Sequence, residues 1–279
     1  MSFDEDLPFG SDDDASPTSS SSASTHRTCN EDGTHSFSHL KRLNLSGRQY
    51  LHAVNAENDP TPSMLLGTAV HRLVLGGRPG HRVIRFDGKA RKGRTWEAFR
   101  DANADAEILT APEWRHAEQI AEAVIADPLA RARLDGASLE VPLAWEEDGI
   151  KYSTSGVDIL GNSALGDLKT ASTTNPEELQ RQAFKMLYHC QLAFYRRGAR
   201  ANGIDVSRGL FLLCVETKAP FEVVDLELTE GLVDLADRTV SLWLEKLKNY
   251  RKSNQWPGYA QSPIAWDVPA WMRADDEDP

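Results

Sequence analysis

The stretch Ser155-Gly156-Val157-Asp158-Ile159-Leu160-Gly161-Asn162-Ser163-Ala164-Leu165-Gly166-Asp167-Leu168-Lys169-Thr170 decides how this chain folds. Two short apolar runs flank a Gly-Asn pair, the local signal of a β-hairpin. A four-residue loop at 161–164 pairs Leu160 with Leu165 and sets Asp158 opposite Asp167. Side chains alternate along a strand, so Asp167 and Lys169 share a face while Leu168 points the other way. Asp158 joins them on that face, and Gly156 leaves space opposite the lysine. Like charges paired across strands destabilise a sheet unless something compensates them. A divalent cation is the natural compensation, because hard cations prefer carboxylate oxygens. The inference depends on register: a slip of one residue would send one aspartate to the other face.

Working outward, a chain of 279 residues with 40% hydrophobic content can bury a core of its own. No apolar run reaches the roughly 18 residues of a membrane span, and the acidic, Ser-rich start is unlike a signal peptide. Cys29, Cys190 and Cys214 are too scattered for a disulfide framework or a structural zinc site. A reducing, cytoplasmic setting is expected, with no membrane association. The net charge of −11 would argue against nucleic acid as a partner, but its distribution removes the objection. Residues 1–34 carry −7 and residues 275–279 carry −4, which leaves the middle of the chain balanced. The expected organisation is a disordered acidic tail over 1–34, one folded domain over 35–274 and an acidic tail over 275–279.

Residues 36–54 read as a short helix with Ser38 as a candidate cap. A second helix runs from Ser63 to Leu75 and stops at Gly76-Gly77. Gly67 and His71 lie four apart on it, so a residue without a side chain sits one turn from the histidine. A lone histidine here reads as core; the neighbouring glycine, by clearing room for a close approach, points to a ligand. Residues 78–100 are the basic stretch of the chain, and 89–95 within it reads as a mobile loop. Arg91, Lys92 and Arg94 there are either a solvated surface or phosphate contacts. A helix is expected over 111–134 and a strand over 139–145. Glu140 in that strand reads as an exposed glutamate and is left out of the site.

Beyond the hairpin, Asn175-Pro176-Glu177-Glu178 is a helix start, with a cap, a proline at the first position and a glutamate three residues on. The helical pattern runs past Tyr195, with room for a break into two helices. Phe184, Leu187, Gln191 and Tyr195 then fall on one face. A buried glutamine needs hydrogen-bond partners, so something polar should face Gln191. The unbroken apolar run 210–215 fits a strand buried on both faces. A further strand over 221–228 and a long amphipathic helix from Thr229 to about residue 252 follow, closed by Trp256-Pro257-Gly258-Tyr259.

Strand, hairpin with Asp…Asp-x-Lys, helix, strand is the order of the PD-(D/E)xK nuclease core. Asp-x-Lys alone occurs by chance in most proteins. Together with Gly67-Thr68-Ala69-Val70-His71 upstream and Gln191 with Tyr195 downstream, the pattern resembles the RecB-like branch of that superfamily. More closely it is similar to the exodeoxyribonuclease VIII (RecE) catalytic domain. The likeness extends to Glu107-Ile108-Leu109-Thr110, Tyr188-His189 and Trp256-Pro257-Gly258-Tyr259, over roughly residues 36–272.

The resemblance implies an α/β, restriction-endonuclease-like fold with a central mixed β-sheet flanked by helices. It implies that Asp158, Asp167, the Leu168 carbonyl and His71 hold Mg²⁺ or Mn²⁺. Lys169 would position or activate the attacking water, with Gln191 and Tyr195 supporting the site or contacting DNA. The implied activity is 5′→3′ exonucleolytic hydrolysis of linear double-stranded DNA, with duplex ends as substrate. A phage-type single-strand annealing protein is the implied partner and a ring the implied homo-oligomer. The rival expectations are a RecB-like nuclease of the Cas4 type, against which the scattered cysteines argue, and a DNA-binding module without catalysis.

Overall fold

In the computed structural model, residues 33–56, 60–78 and 80–267 are described. The expected tails, all but Gly33 and Thr34 of the first and the whole of the second, lie outside them. Asn162 and Ser163 both take positive φ, 52° and 58°, the backbone of a two-residue type I′ hairpin turn. The turn is therefore two residues long rather than four, because Gly161 already pairs with Ala164. Leu160 still faces Leu165, so the expected register holds.

Two strands, β1 (Arg82–Phe86) and β2 (Ala106–Thr110), make a small parallel sheet. The main sheet contains β3 (Ser138–Glu147), β4 (Ile150–Gly161), β5 (Ala164–Ala171), β6 (Gly209–Glu216) and β7 (Val223–Glu227), in that spatial order. It is mixed: β5 and β6 run parallel while the other neighbours are antiparallel. The β6 run is apolar throughout because it serves two cores. Leu210, Leu212 and Cys214 point to one, Phe211, Leu213 and Val215 to the other.

The helices, in order, are α1 (Phe37–Leu40), α2 (Gly47–Asn55), α3 (Pro62–Leu75), α4 (Arg94–Asp101), α5 (Ala111–Ala126), α6 (Pro128–Leu134), α7 (Pro176–Lys185), α8 (Tyr188–Ala201) and α9 (Glu230–Ser253). Helices α8 and α9 cover one face of the main sheet, α3 and α5 the other. Among the described residues no helix is long and apolar enough to cross a membrane.

Several boundaries differ from the sequence reading, each for a local reason. Residues 36–54 are not one helix. Ser36 rather than Ser38 precedes α1, and the Ser46 side chain accepts from the Gln49 amide to start α2. The expected helix over 111–134 breaks at Asp127, whose carboxylate accepts from the amides of Leu129 and Ala130 ahead of Pro128. A proline cannot donate to the preceding turn, and it suits a first helical position. The loop expected over 89–95 is shorter, because α4 begins at Arg94. Between α7 and α8, Leu187 turns left-handed at φ 62°. Phe184 therefore does not share a face with Gln191 and Tyr195; it is exposed, with its ring stacked on His189 at 4.6 Å.

Candidate active site

The site is made where β4 and β5 part. Only Gly161, Leu160 and Ile159 of the twelve-residue β4 pair with β5. In an antiparallel ladder, pairs that exchange both backbone hydrogen bonds alternate with pairs that exchange none. Gly161–Ala164 and Ile159–Gly166 belong to the first kind, so the next would be Val157 with Leu168. That pair is absent from the β4–β5 ladder, and the Leu168 amide instead donates to Asp158 Oδ2 at 2.9 Å. A carboxylate thus replaces a backbone carbonyl. In an extended strand a residue's N–H and C=O point to the same side, so the Leu168 carbonyl also faces this gap. At the far end of β4, the N-terminal segment fills the side that β5 has left: the His35 amide donates to the Lys151 carbonyl at 3.0 Å.

Around the gap, Asp158 and Asp167 are 1% and 2% exposed. Lys169 forms an ion pair with Asp167 Oδ2, and its Nζ lies 5.0 Å from the Tyr188 ring centroid. Burial, the charge of Asp167 and, last, Glu140 push the Asp158 carboxyl well above the usual range, against the pull of Lys169 and the Leu168 amide. Burial would lower the Lys169 ammonium, but Asp167 and Asp158 outweigh it and hold the group above the usual lysine value. An ammonium donates and cannot accept a proton. In this state Lys169 can orient a water or neutralise an anion, but cannot act as a base.

His71 reaches the same gap from α3, its Nδ1 3.5 Å from Asp158 Oδ2 and 4.0 Å from Glu140 Oε1. Burial, and next the Lys169 charge, lower its pKa to about 4, leaving the neutral imidazole a metal ligand must be. The room expected of Gly67 is not required: a Cβ there would stand 3.4 Å from Thr170 Oγ1 on β5, an ordinary contact. The helix therefore sits close against the strand that carries Lys169.

Gln191 Nε2 donates to Asp167 Oδ1 at 2.9 Å and to the Tyr195 hydroxyl at 3.1 Å. The polar partner its burial required is thus the second aspartate. Cys190 and Cys214 are buried, and burial raises both thiols to about 12, so they are inert.

Two residues belong here that the sequence reading placed elsewhere, Glu140 on an exposed strand face and Arg78 in the basic stretch. Glu140 is 5% exposed rather than solvated. It has φ 51°, rare for a residue with a side chain, and lies next to the register shift between Val141 and Leu143. That irregularity turns an edge-strand carboxylate inward, and period-2 alternation gives no warning of it. Arg78, after Gly76-Gly77, donates from Nε to Glu140 Oε2 at 2.5 Å and from Nη1 to the Ser155 hydroxyl at 3.0 Å. Gly156 consequently does not face open space. A Cβ there would stand 2.5 Å from Glu140 Oε2 and 3.3 Å from Arg78 Nε.

One ligand atom each from His71, Glu140 and Asp158 lies within 4.8 Å of the other two, a spacing that one divalent cation can bridge. Asp167 stands outside that trio, held by Lys169 and Gln191. The cluster borders a cleft of about 690 Å³ lined by Gly67, His71, Arg78, Glu140, Lys169 and Tyr188 among others. Arg91, Lys92 and Arg94 do not line it. Arg91 is committed to Glu113 at 2.6 Å and the Ile108 carbonyl at 3.0 Å, whereas Lys92 and Arg94 are exposed.

Residues 36–263 match the model of a family described as a PDDEXK-like domain of unknown function (DUF3799). No curated protein matches the chain. Its fold is similar to that of a candidate exonuclease from Eubacterium rectale, with a TM-score of 0.58 and 13% identity over 92% of this chain and 98% of that one. A phage-related exonuclease from Haemophilus somnus 129PT aligns at a TM-score of 0.32 and 14% identity, over 67% of this chain and 95% of that one. The second likeness is too loose to carry an argument.

Proposed function

This chain belongs to the PDDEXK-like family, and from its site we propose that it is a metal-dependent DNA exonuclease. The substrate is the end of linear double-stranded DNA, degraded 5′→3′ to leave 3′ single-stranded tails. One observation carries the reading: where β4 and β5 part, a histidine and two carboxylates gather beside a strand residue whose amide has turned to a carboxylate, with a charged lysine one residue beyond.

Asp158, Glu140, His71 and the Leu168 carbonyl would hold Mg²⁺ or Mn²⁺, with Asp167 as a further ligand. The bound cation would supply a water acidic enough to attack and positive charge for the phosphoryl oxygens. The chain's own residues do the rest. Lys169 donates to the attacking water or to the scissile phosphate, where charge develops. Gln191 and Tyr195 fix the rotamer of Asp167, so the ion pair with Lys169 keeps one orientation. Lys92 and Arg94 offer phosphate contacts outside the cleft. Products of this kind suit a single-strand annealing protein as partner, and a ring would hold the enzyme on its strand.

The test compares end-labelled linear duplex with closed circular duplex in Mg²⁺, in Mn²⁺ and with chelator. Linear DNA should disappear from its 5′ ends only with metal, and circles should survive. Linear DNA left intact in both metals, though bound normally, would sink the proposal. Lys169→Ala should lower cleavage by about 10²–10³-fold while calorimetry still detects metal binding.

A further inference from the structure

Arg78 occupies the position that a metal's charge would take. Its Nε lies 2.5 Å from Glu140 Oε2 and its Nη2 3.6 Å from Asp158 Oδ1, against the same two carboxylates that face His71. A guanidinium cannot shed its charge at any ordinary pH, so a divalent cation entering beside it is repelled by it and competes with it for the same two carboxylates. The side chain that carries the charge has an open side to turn to. Gly76 and Gly77 both have positive φ, 86° and 78°, immediately before Arg78, and its side chain remains 34% exposed.

The charge balance gives that movement a destination. Counted with every carboxylate ionised, Glu140, Asp158 and Asp167 against Arg78 and Lys169 leave the cleft one negative charge in excess without metal. A divalent cation reverses the excess to one positive charge, the complement of one phosphodiester group. Without Arg78 the metal-loaded cleft would be neutral and would no longer attract that group.

We propose that Arg78 is a positioning residue that stands in for the metal in the free protein and moves to a DNA phosphate once metal binds. Metal and DNA then bind cooperatively, because metal releases the guanidinium and a phosphate gives it a new partner. The inference rests on the metal reading above and adds to it a competition and a coupling.

The experiment measures Mg²⁺ and Mn²⁺ affinity by calorimetry on the full chain without DNA, for wild type, Arg78→Ala and Arg78→Lys. Arg78→Ala should bind metal about fivefold more tightly or better, although it melts at a lower temperature; Arg78→Lys should stay near wild type. A merely structural role would lower metal affinity along with stability. With Ca²⁺ in place of Mg²⁺ to hold back cleavage, fluorescence anisotropy of the wild type should show the metal raising affinity for duplex DNA, and Arg78→Ala should abolish that gain. Should Arg78→Ala fail to fold, Arg78→Gln, which keeps most of the side chain's length, is read the same way. Equal or weaker metal binding by a folded variant overturns this inference alone. No metal binding by any of the proteins overturns the metal reading and this inference together.

Discussion

The two hairpins that share β4 behave differently. Along β3 the strand is paired almost end to end, from Ser138↔Leu160 to Glu147↔Ile150, with one irregularity between Val141 and Leu143. Along β5 it is paired over three residues and then opens. The closed hairpin pairs its backbone groups internally and turns none of them to a ligand. The open one releases the Leu168 peptide and admits the Asp158 carboxylate in place of the lost partner. The ionisable side chains gather where regular pairing stops. The one irregularity of the closed hairpin serves the same place, since it turns Glu140 toward the gap.

Substitutions can break this contrast, and the largest effect should come from the open side. Asp158→Ala removes both a proposed metal ligand and the acceptor for the Leu168 amide. Cleavage of linear duplex should fall roughly 10³-fold, and calorimetric metal binding should weaken with it. Retained cleavage would remove Asp158 from the mechanism. Paired glycine substitutions come next. Gly156→Ala would push on Glu140 and Arg78, so cleavage should drop about 10- to 100-fold in protein that still folds. Gly161→Ala, at the paired end, brings a Cβ within 2.8 Å of the Ala137 Cβ. It should cost about 1–3 kcal/mol of stability and leave the activity of the folded fraction unchanged. Equal loss of activity in both variants would mean that the open and closed ends are not distinct.

The smallest effect concerns the plug at the far end of the gap. His35 packs there with Nδ1 2.5 Å from the Tyr50 hydroxyl, and burial, then Arg251 and His39, lower its pKa to about 4. The unfolded histidine takes a proton near pH 6.5 and the folded one near 4, so folding is fully supported above 6.5. Stability should fall as pH drops between those values, by up to about 1.4 kcal/mol per unit for this residue. Urea denaturation of wild type and His35→Gln at pH 7 and pH 5 measures it. An identical pH dependence in both would exclude His35 as the source.

Much of this was legible in the chain itself. The turn at 161–164, the period of two and the positions of Asp158, Asp167 and Lys169 are local properties, and they set the register that brings the aspartates together. Asn175-Pro176 and Gly76 mark helix ends by caps and φ preferences that act within a few residues. Gln191 could be expected to seek a polar partner because burial demands one. Glu140 was visible as a residue but not as a site residue, because strand alternation carries no sign of a left-handed backbone at an edge irregularity.

What only the tertiary structure decided is the parting of β4 from β5 and everything that enters the gap. Arg78 meets Glu140 across 62 residues of chain, and His71 meets Asp158 because α3 packs against the face of the sheet beside β5. The sequence determined the strand that carries the aspartates and the lysine, since turn chemistry and alternation depend on near neighbours. The opening beside that strand depends on packing between distant segments: β4 follows β3, His35 takes the place that β5 has left, and the Leu168 amide turns to the Asp158 carboxylate.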